Sequence, residues 1–336
     1  MAHEDVLNLD EFQFRGLHPH VFMGTASDRY AGWIGQIYSE ERYKGRISTR
    51  THIIGGRSFR EEVLPVESVE EYFHHFSVLE LDFTFYGLLL GEGLKPTQTY
   101  HVLQAYKRYL TRDDRLILKV PQVICAQRLW RGGGSVENHD YLNPEIFTHS
   151  FYEPATSLLG DLINGFIFEQ EYQAKKDRVS PREYVEALDG FLDEIPKDDR
   201  YHIETRTDPY LIAPYFKVLE THGVGQVLSH WTWLPPLRTQ FIKSGGTFSN
   251  SGSQCIIRLM TPLRVRYEES YAMAFPFDTL VDGMLDPHMV EETVEIMSAA
   301  IDQGVHTNVV VNNRAGGNAP IIAQKVSERF LEKRRR

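Results

Sequence analysis

Eight short apolar runs, each followed by an amphipathic or helix-bearing stretch, recur along this 336-residue chain, and that alternation limits its fold more than any other feature. VFMGTA (21–26), SVLELDFTF (77–85), LILKVPQ (116–122), GFIFEQ (165–170), YHIETR (201–206), VGQVLSHW (224–231), QCIIRLM (254–260) and TNVVVNN (307–313) read as strands. The segments between them carry helical spacing, as in PREYVEALDGFLDEI, where Tyr184, Leu188, Phe191 and Leu192 share a face. Near-continuous apolar strands are buried on both faces, the condition of a parallel sheet covered by helices. Eight such units predict an α/β fold: a closed (β/α)8 barrel of the TIM type with parallel strands. An open doubly wound sheet alternates similarly but places G-x-G-x-x-G after its first strand, and GTASDRYAGW has its glycines at other spacings.

One domain accommodates the length, because barrels of this type often exceed 250 residues. We read 1–20 as an N-terminal extension, 21–332 as the barrel and 333–336 as a basic tail that ends the last helix as a solvated cap on its dipole. Two Gly- and Arg-rich stretches, 42–65 and 130–150, are insertions after strand ends, on the face where barrels carry their active sites. Composition adds exclusions: 42% hydrophobic and 24% charged residues describe an ordinary globular chain, and a formal charge of −10 argues against binding nucleic acid or anionic membrane through bulk charge. No apolar stretch reaches the length of a membrane span, the N-terminus lacks the flanks of a signal peptide, and Cys125 and Cys255 read as buried thiols, so the expected compartment is the cytoplasm.

GTASDRYAGWIGQIYS resembles the G-T-S-x-W-x-Y-x-x-W-x-G-x-F-Y opening of the YecE-like family, catalogued as domain of unknown function 72. LELDFTFY resembles its V-E-I-N-x-T-F-Y, LILKVPQVI its F-x-F-x-x-K-x-P, IETRTDPY its E-F-R-H-P-S-W, IIRLM its V-R-L-H, and VVVNNRAGGNAP its F-N-N-x-x-G-G-x-A. These matches run in order from about Phe22 to Phe330. The resemblance implies a (β/α)8-type barrel and no settled activity. Three positions depart from the pattern: Asp82 stands where the family usually has Asn, Phe168-Glu169-Gln170 where Gln-x-Pro is usual, and Met260 where His is common.

Within a barrel, the residues at strand ends become a candidate site. Glu80 and Asp82 share one face of the second strand and Glu204 lies on the fifth, with Glu169 on the fourth beside them; Lys119, Arg206 and Arg258 are the cations that could compensate them. These residues read either as acid/base and electrostatic catalysts or as a structural ion-pair network, and His230 with Glu80 could begin a divalent-metal site. The loop after the last strand, Asn312, Asn313, Arg314, Gly316, Gly317 and Asn318, reads as an anion cradle at a helix N-terminus or as a capped turn. Tyr30, Trp33, Tyr86 and Trp231 are the expected pocket walls. His18, His20, His74 and His75 read as surface or capping residues.

Three functions stay open. The first is an enzyme, of hydrolase or isomerase class, acting on a small anionic or phosphorylated ligand at the C-terminal face. The second is an endonuclease-like barrel gripping nucleic acid through Arg42, Lys44, Arg46, Arg50, Arg57 and Arg60. The third is a non-catalytic ligand-binding barrel. No nucleophile elbow, P-loop, H-E-x-x-H or zinc-ribbon spacing occurs, which in a barrel excludes little.

Overall fold

The computed structural model describes residues 5–131 and 134–335. The first four residues of the extension, residues 132–133 of the second insertion and residue 336 of the basic tail lie outside the described residues.

Eight parallel strands close into a barrel: β1 (Val21–Ala26), β2 (Val78–Leu81), β3 (Arg115–Lys119), β4 (Ile163–Gln170), β5 (Tyr201–Thr205), β6 (Gly225–His230), β7 (Gln254–Leu259) and β8 (His306–Val311). Closure comes from β1, which pairs with β8 through Thr25 and Val311 and with β2 through Ala26 and Glu80. The expected closed (β/α)8 barrel is therefore the fold. Helices α1 (Val69–His75), α2 (Gln98–Lys107), α3 (Glu153–Leu159), α4 (Pro181–Glu194), α5 (Ala213–His222), α6 (Leu237–Lys243), α7 (Pro287–Asp302) and α8 (Ala319–Arg335) follow the strands in turn. Local sequence sets their starts. Pro181 opens α4 behind a capping box in which Ser180 Oγ accepts from Glu183 N at 3.2 Å and the Glu183 carboxylate accepts from Ser180 N at 2.8 Å.

Alternation along each strand sorts side chains between two cores. Leu79 and Leu81 of β2 face the helices, whereas Val78 joins Ile117, Ile167, Val227, Ile256 and Val310 inside the barrel. The same period directs Glu80 of β2, Lys119 of β3, Glu169 of β4, Glu204 of β5 and Arg258 of β7 inward, one step nearer the C-terminal face.

Two sequence expectations need correction. The second strand ends at Leu81, and Asp82–Tyr86 turns into a 3-10 helix. Its Thr and Phe residues favour strand, but the Thr84 hydroxyl, 2.9 Å from Leu81 O and 2.8 Å from Lys119 O, also accepts from Lys119 N at 3.0 Å, so a side chain takes the place of ladder bonds to β3. His18 and His20 are half-buried rather than surface groups: His20 stacks on His306 at 4.5 Å and His18 packs edge-on against Phe330, closing the N-terminal end of the barrel.

The first insertion forms a hairpin, Ser48–Ile54 paired with Arg57–Val63, through a Gly55-Gly56 turn with φ of +57° and +76°. Its Phe59 lies against Tyr271 at 5.0 Å and Phe275 at 5.3 Å, so the hairpin is anchored beside the C-terminal face. The second contains a short hairpin, Arg128–Arg131 with Gly134–Glu137, followed by a helical turn, Pro144–Phe147.

Candidate active site at the barrel mouth

Arg258 is the hub of the mouth. Its guanidinium is 1% exposed and meets Glu80 twice, Nε to Oε2 at 2.8 Å and the second nitrogen to Oε1 at 2.6 Å, and it also donates to Glu169 at 2.9 Å and to Glu204. Lys119 Nζ adds a contact to Glu169 at 2.7 Å, and Arg206 bridges Glu169 at 2.8 Å and Glu204 at 3.3 Å. Three carboxylates and three cations from β2, β3, β4, β5, β7 and the residue after β5 thus neutralise one another. Burial favours the neutral form of Glu169, but Arg206, Lys119 and Arg258 hold its carboxyl well below the usual range. For Glu80, burial outweighs Arg258 and Lys119 and raises the carboxyl. Such a network fixes side-chain positions and leaves none of these six groups free of partners.

Two charged groups at the same mouth stand outside it. Asp82 is half-buried and has neither hydrogen-bond nor ion-pair partner among the described residues; burial raises its carboxyl, opposed by Lys119, Arg314 and Arg258. Arg314 is likewise without a carboxylate partner: its Nε is buried and unbonded, and its guanidinium lies 4.3 Å from the centre of the Tyr267 ring. Asp82 and Arg314 sense each other electrostatically without forming an ion pair. Aromatics surround them. Tyr86 is 77% exposed, Tyr30 packs between Trp33 and Phe277, and Trp231 carries the Arg206 guanidinium on its ring at 4.9 Å. Trp33 is fully buried, and its Nε1 donates to Asn313 Oδ1 at 3.1 Å, so it holds the last loop rather than facing the mouth.

That loop uses most of its own donors. Asn312 Oδ1 accepts from Arg314 N, Asn313 Oδ1 accepts from Ala319 N, and Asn318 Nδ2 donates to Phe277 O and Gln36 Oε1. The amides of Ala315, Gly316 and Gly317 bond to the carbonyls of Asn312 and Asn313. Gly317 has φ of +114°, and a Cβ there would stand 2.3 Å from Thr279 O, so this glycine lets segment 279–281 close against the loop. Arg314 is the member whose side chain projects from this frame without a polar partner.

His230, at the end of β6, stands across the barrel from Glu80 on β2; its Nδ1 lies 2.9 Å from Thr261 O and its Nε2 3.8 Å from Asp286 Oδ2. Both Glu80 oxygens bond Arg258. Among the described residues, the His/Asp group with metal-ligand spacing is Asp189, Asp193 and His222, on the outer faces of α4 and α5 and away from the mouth. In the arginine-rich insertion, Arg42 pairs with Glu70 at 2.5 Å and Arg46 with Glu67.

Sequence reasoning did not single out Asp28, Tyr267 or Asp286, and it gave Glu169 only a supporting place. Asp28, just after β1, is 1% exposed, accepts from Tyr106 Oη at 2.8 Å through one oxygen and leaves the other unbonded; burial raises its carboxyl to about 6. Its place at the end of the first strand was the available signal. Glu169 lay on a buried strand, where a charge demands compensation.

A family model described as "Protein of unknown function DUF72" matches residues 49–336. Among solved structures, this fold is similar to that of a DUF72 family protein from Thermotoga maritima, at 15% identity over 93% of this chain and 99% of that one, with a TM-score of 0.56. A DUF72 family protein from Enterococcus faecalis is similar at 14% identity over 93% and 95% of the two chains, with a TM-score of 0.52. No curated protein matches the sequence. Among the described residues, no helix is long and apolar enough to cross a membrane.

Proposed function

Because this chain belongs to the DUF72 family, whose description assigns no activity, we propose from its own mouth residues that it is an enzyme of hydrolase or isomerase class acting on a small anionic ligand. The observation that carries this reading is that Asp82 and Arg314 are unpaired in a mouth where the neighbouring charges are paired. An unpaired arginine beside an aromatic ring binds phosphate or carboxylate through two parallel hydrogen bonds. A half-buried carboxylate whose ionisation is opposed by burial is suited to taking up and returning a proton.

In this reading Arg314 holds the anionic group and Asp82 moves the proton. Lys119 and Arg206, at the upper edge of the network, stabilise charge developing on the substrate, and Tyr30, Tyr86 and Trp231 wall the pocket. Glu80, Glu204 and Arg258 act beneath them as a fixed charge-balanced floor that keeps Lys119 and Arg206 in place. The two buried thiols, Cys125 and Cys255, accord with a cytoplasmic setting.

The test uses p-nitrophenyl phosphate, bis-p-nitrophenyl phosphate and p-nitrophenyl acetate as hydrolase probes, ribose 5-phosphate as an isomerase probe, and Asp82→Asn and Arg314→Gln as variants. We expect turnover of at least one probe, a loss of about a hundredfold or more in Asp82→Asn with unchanged melting temperature, and a raised KM in Arg314→Gln. Wild-type rates in Asp82→Asn, or no turnover of any probe together with no binding of ribose 5-phosphate, would overturn the assignment.

A further inference from the structure

A cavity lies on the outer wall of the barrel, away from the mouth. It holds about 490 Å³ between α5 and the segment joining α6 to β7, and β6 forms its floor. That volume falls in the range of small-molecule sites. Its walls include Phe216, Phe241 and Phe248, each half-buried, with the rings of Phe241 and Phe248 5.0 Å apart. On the floor, Leu228 is apolar and Gln226 is not.

Gln226 is the anomaly. Its amide nitrogen and oxygen are both closed off from solvent, and neither has a hydrogen-bond partner among the described residues. An unbonded buried carboxamide is costly, and such groups in folded proteins normally have a reason. The neighbouring hydroxyls have committed their protons elsewhere and donate none to its oxygen: Ser249 donates to Val224 O, Thr247 to Ser244 O and Ser244 to Phe241 O. A change of side-chain rotamer would turn the amide toward the cavity, where it would offer a donor and an acceptor side by side.

We propose that this cavity is a binding site for a planar heterocycle with an adjacent donor and acceptor on one edge, a nucleobase-type ring, held against the phenylalanine wall and read by Gln226. A glutamine amide pairs with two atoms of an adenine edge in this way, and aromatic rings add stacking on its faces. The site needs no anion, so it is chemically distinct from the mouth.

The test is calorimetric titration of the full chain with adenosine and with purine riboside, which lacks the exocyclic donor. Adenosine should saturate one site, purine riboside should bind about tenfold more weakly, and Gln226→Leu should weaken adenosine by a similar factor. Gln226→Leu should melt at or above the wild-type temperature, because it removes an unbonded buried amide. Asp82→Asn should bind adenosine as wild type does. No saturation at millimolar adenosine, equal affinity for the two nucleosides, or loss of binding in Asp82→Asn but not in Gln226→Leu would overturn the proposal.

Discussion

Arg258 touches carboxylates from three strands, and no neighbouring cation can take over all of those contacts. In Arg258→Met the barrel retains Glu80, Glu169 and Glu204 against only Lys119 and Arg206, which leaves one uncompensated buried negative charge. Removing one member of a buried network typically costs about 3–5 kcal/mol. We expect a loss of that size at pH 7 in urea unfolding, shrinking as the pH falls and the surplus carboxylate takes up a proton. A loss that stays constant down to pH 4 would mean that packing rather than charge sets the cost. The ingredients of this network were legible, because a charge on an otherwise apolar strand stands out. Who pairs with whom was not, since Arg258 meets Glu80 from the far side of the barrel, 178 residues away in sequence. Asp82 looked like the twin of Glu80 on one strand face; the turn that begins at Asp82 instead takes it out of the network.

The loop after β8 shows the same limit for an element. Its two asparagines, arginine and glycine pair announced a specialised strand-to-helix turn, and the turn is there. Sequence could not tell that Asn313 and Asn318 would serve the backbone and Trp33, because that depends on α8 and segment 277–281 arriving beside them. Gly317 is the element's most constrained point. Gly317→Ala must accommodate a φ of +114° and a Cβ 2.3 Å from Thr279 O, so the loop shifts as a unit and carries Arg314 with it. We expect a stability loss of about 2 kcal/mol or more, read by calorimetry, together with weaker binding of ribose 5-phosphate. Gly316 is a useful contrast. Its φ of −174° lies outside the left-handed range, and an added Cβ would meet only side-chain atoms, from 3.2 Å, so Gly316→Ala should cost less.

For the whole molecule, buried carboxyls of opposite tendency predict where stability peaks. Asp28 has its folded pKa raised from 3.8 to about 6, so its contribution is fully present below pH 3.8 and is lost as the pH rises through about 6. The gap of about two units corresponds to about 3 kcal/mol. Glu169 is displaced the other way: its stabilisation is present above the unfolded value of 4.5 and is lost as the pH falls below it. The two limbs place maximum stability well on the acid side of neutrality, between roughly pH 3.8 and 4.5. The melting temperature followed from pH 3 to 9 should therefore rise and then fall across that window. Asp28→Asn should flatten the descending limb and Glu169→Gln the rising one, each without moving the other. A profile that climbs monotonically to pH 8 would mean that Asp28 is ionised in the folded barrel, with its second oxygen bonded to a group that solvates the charge.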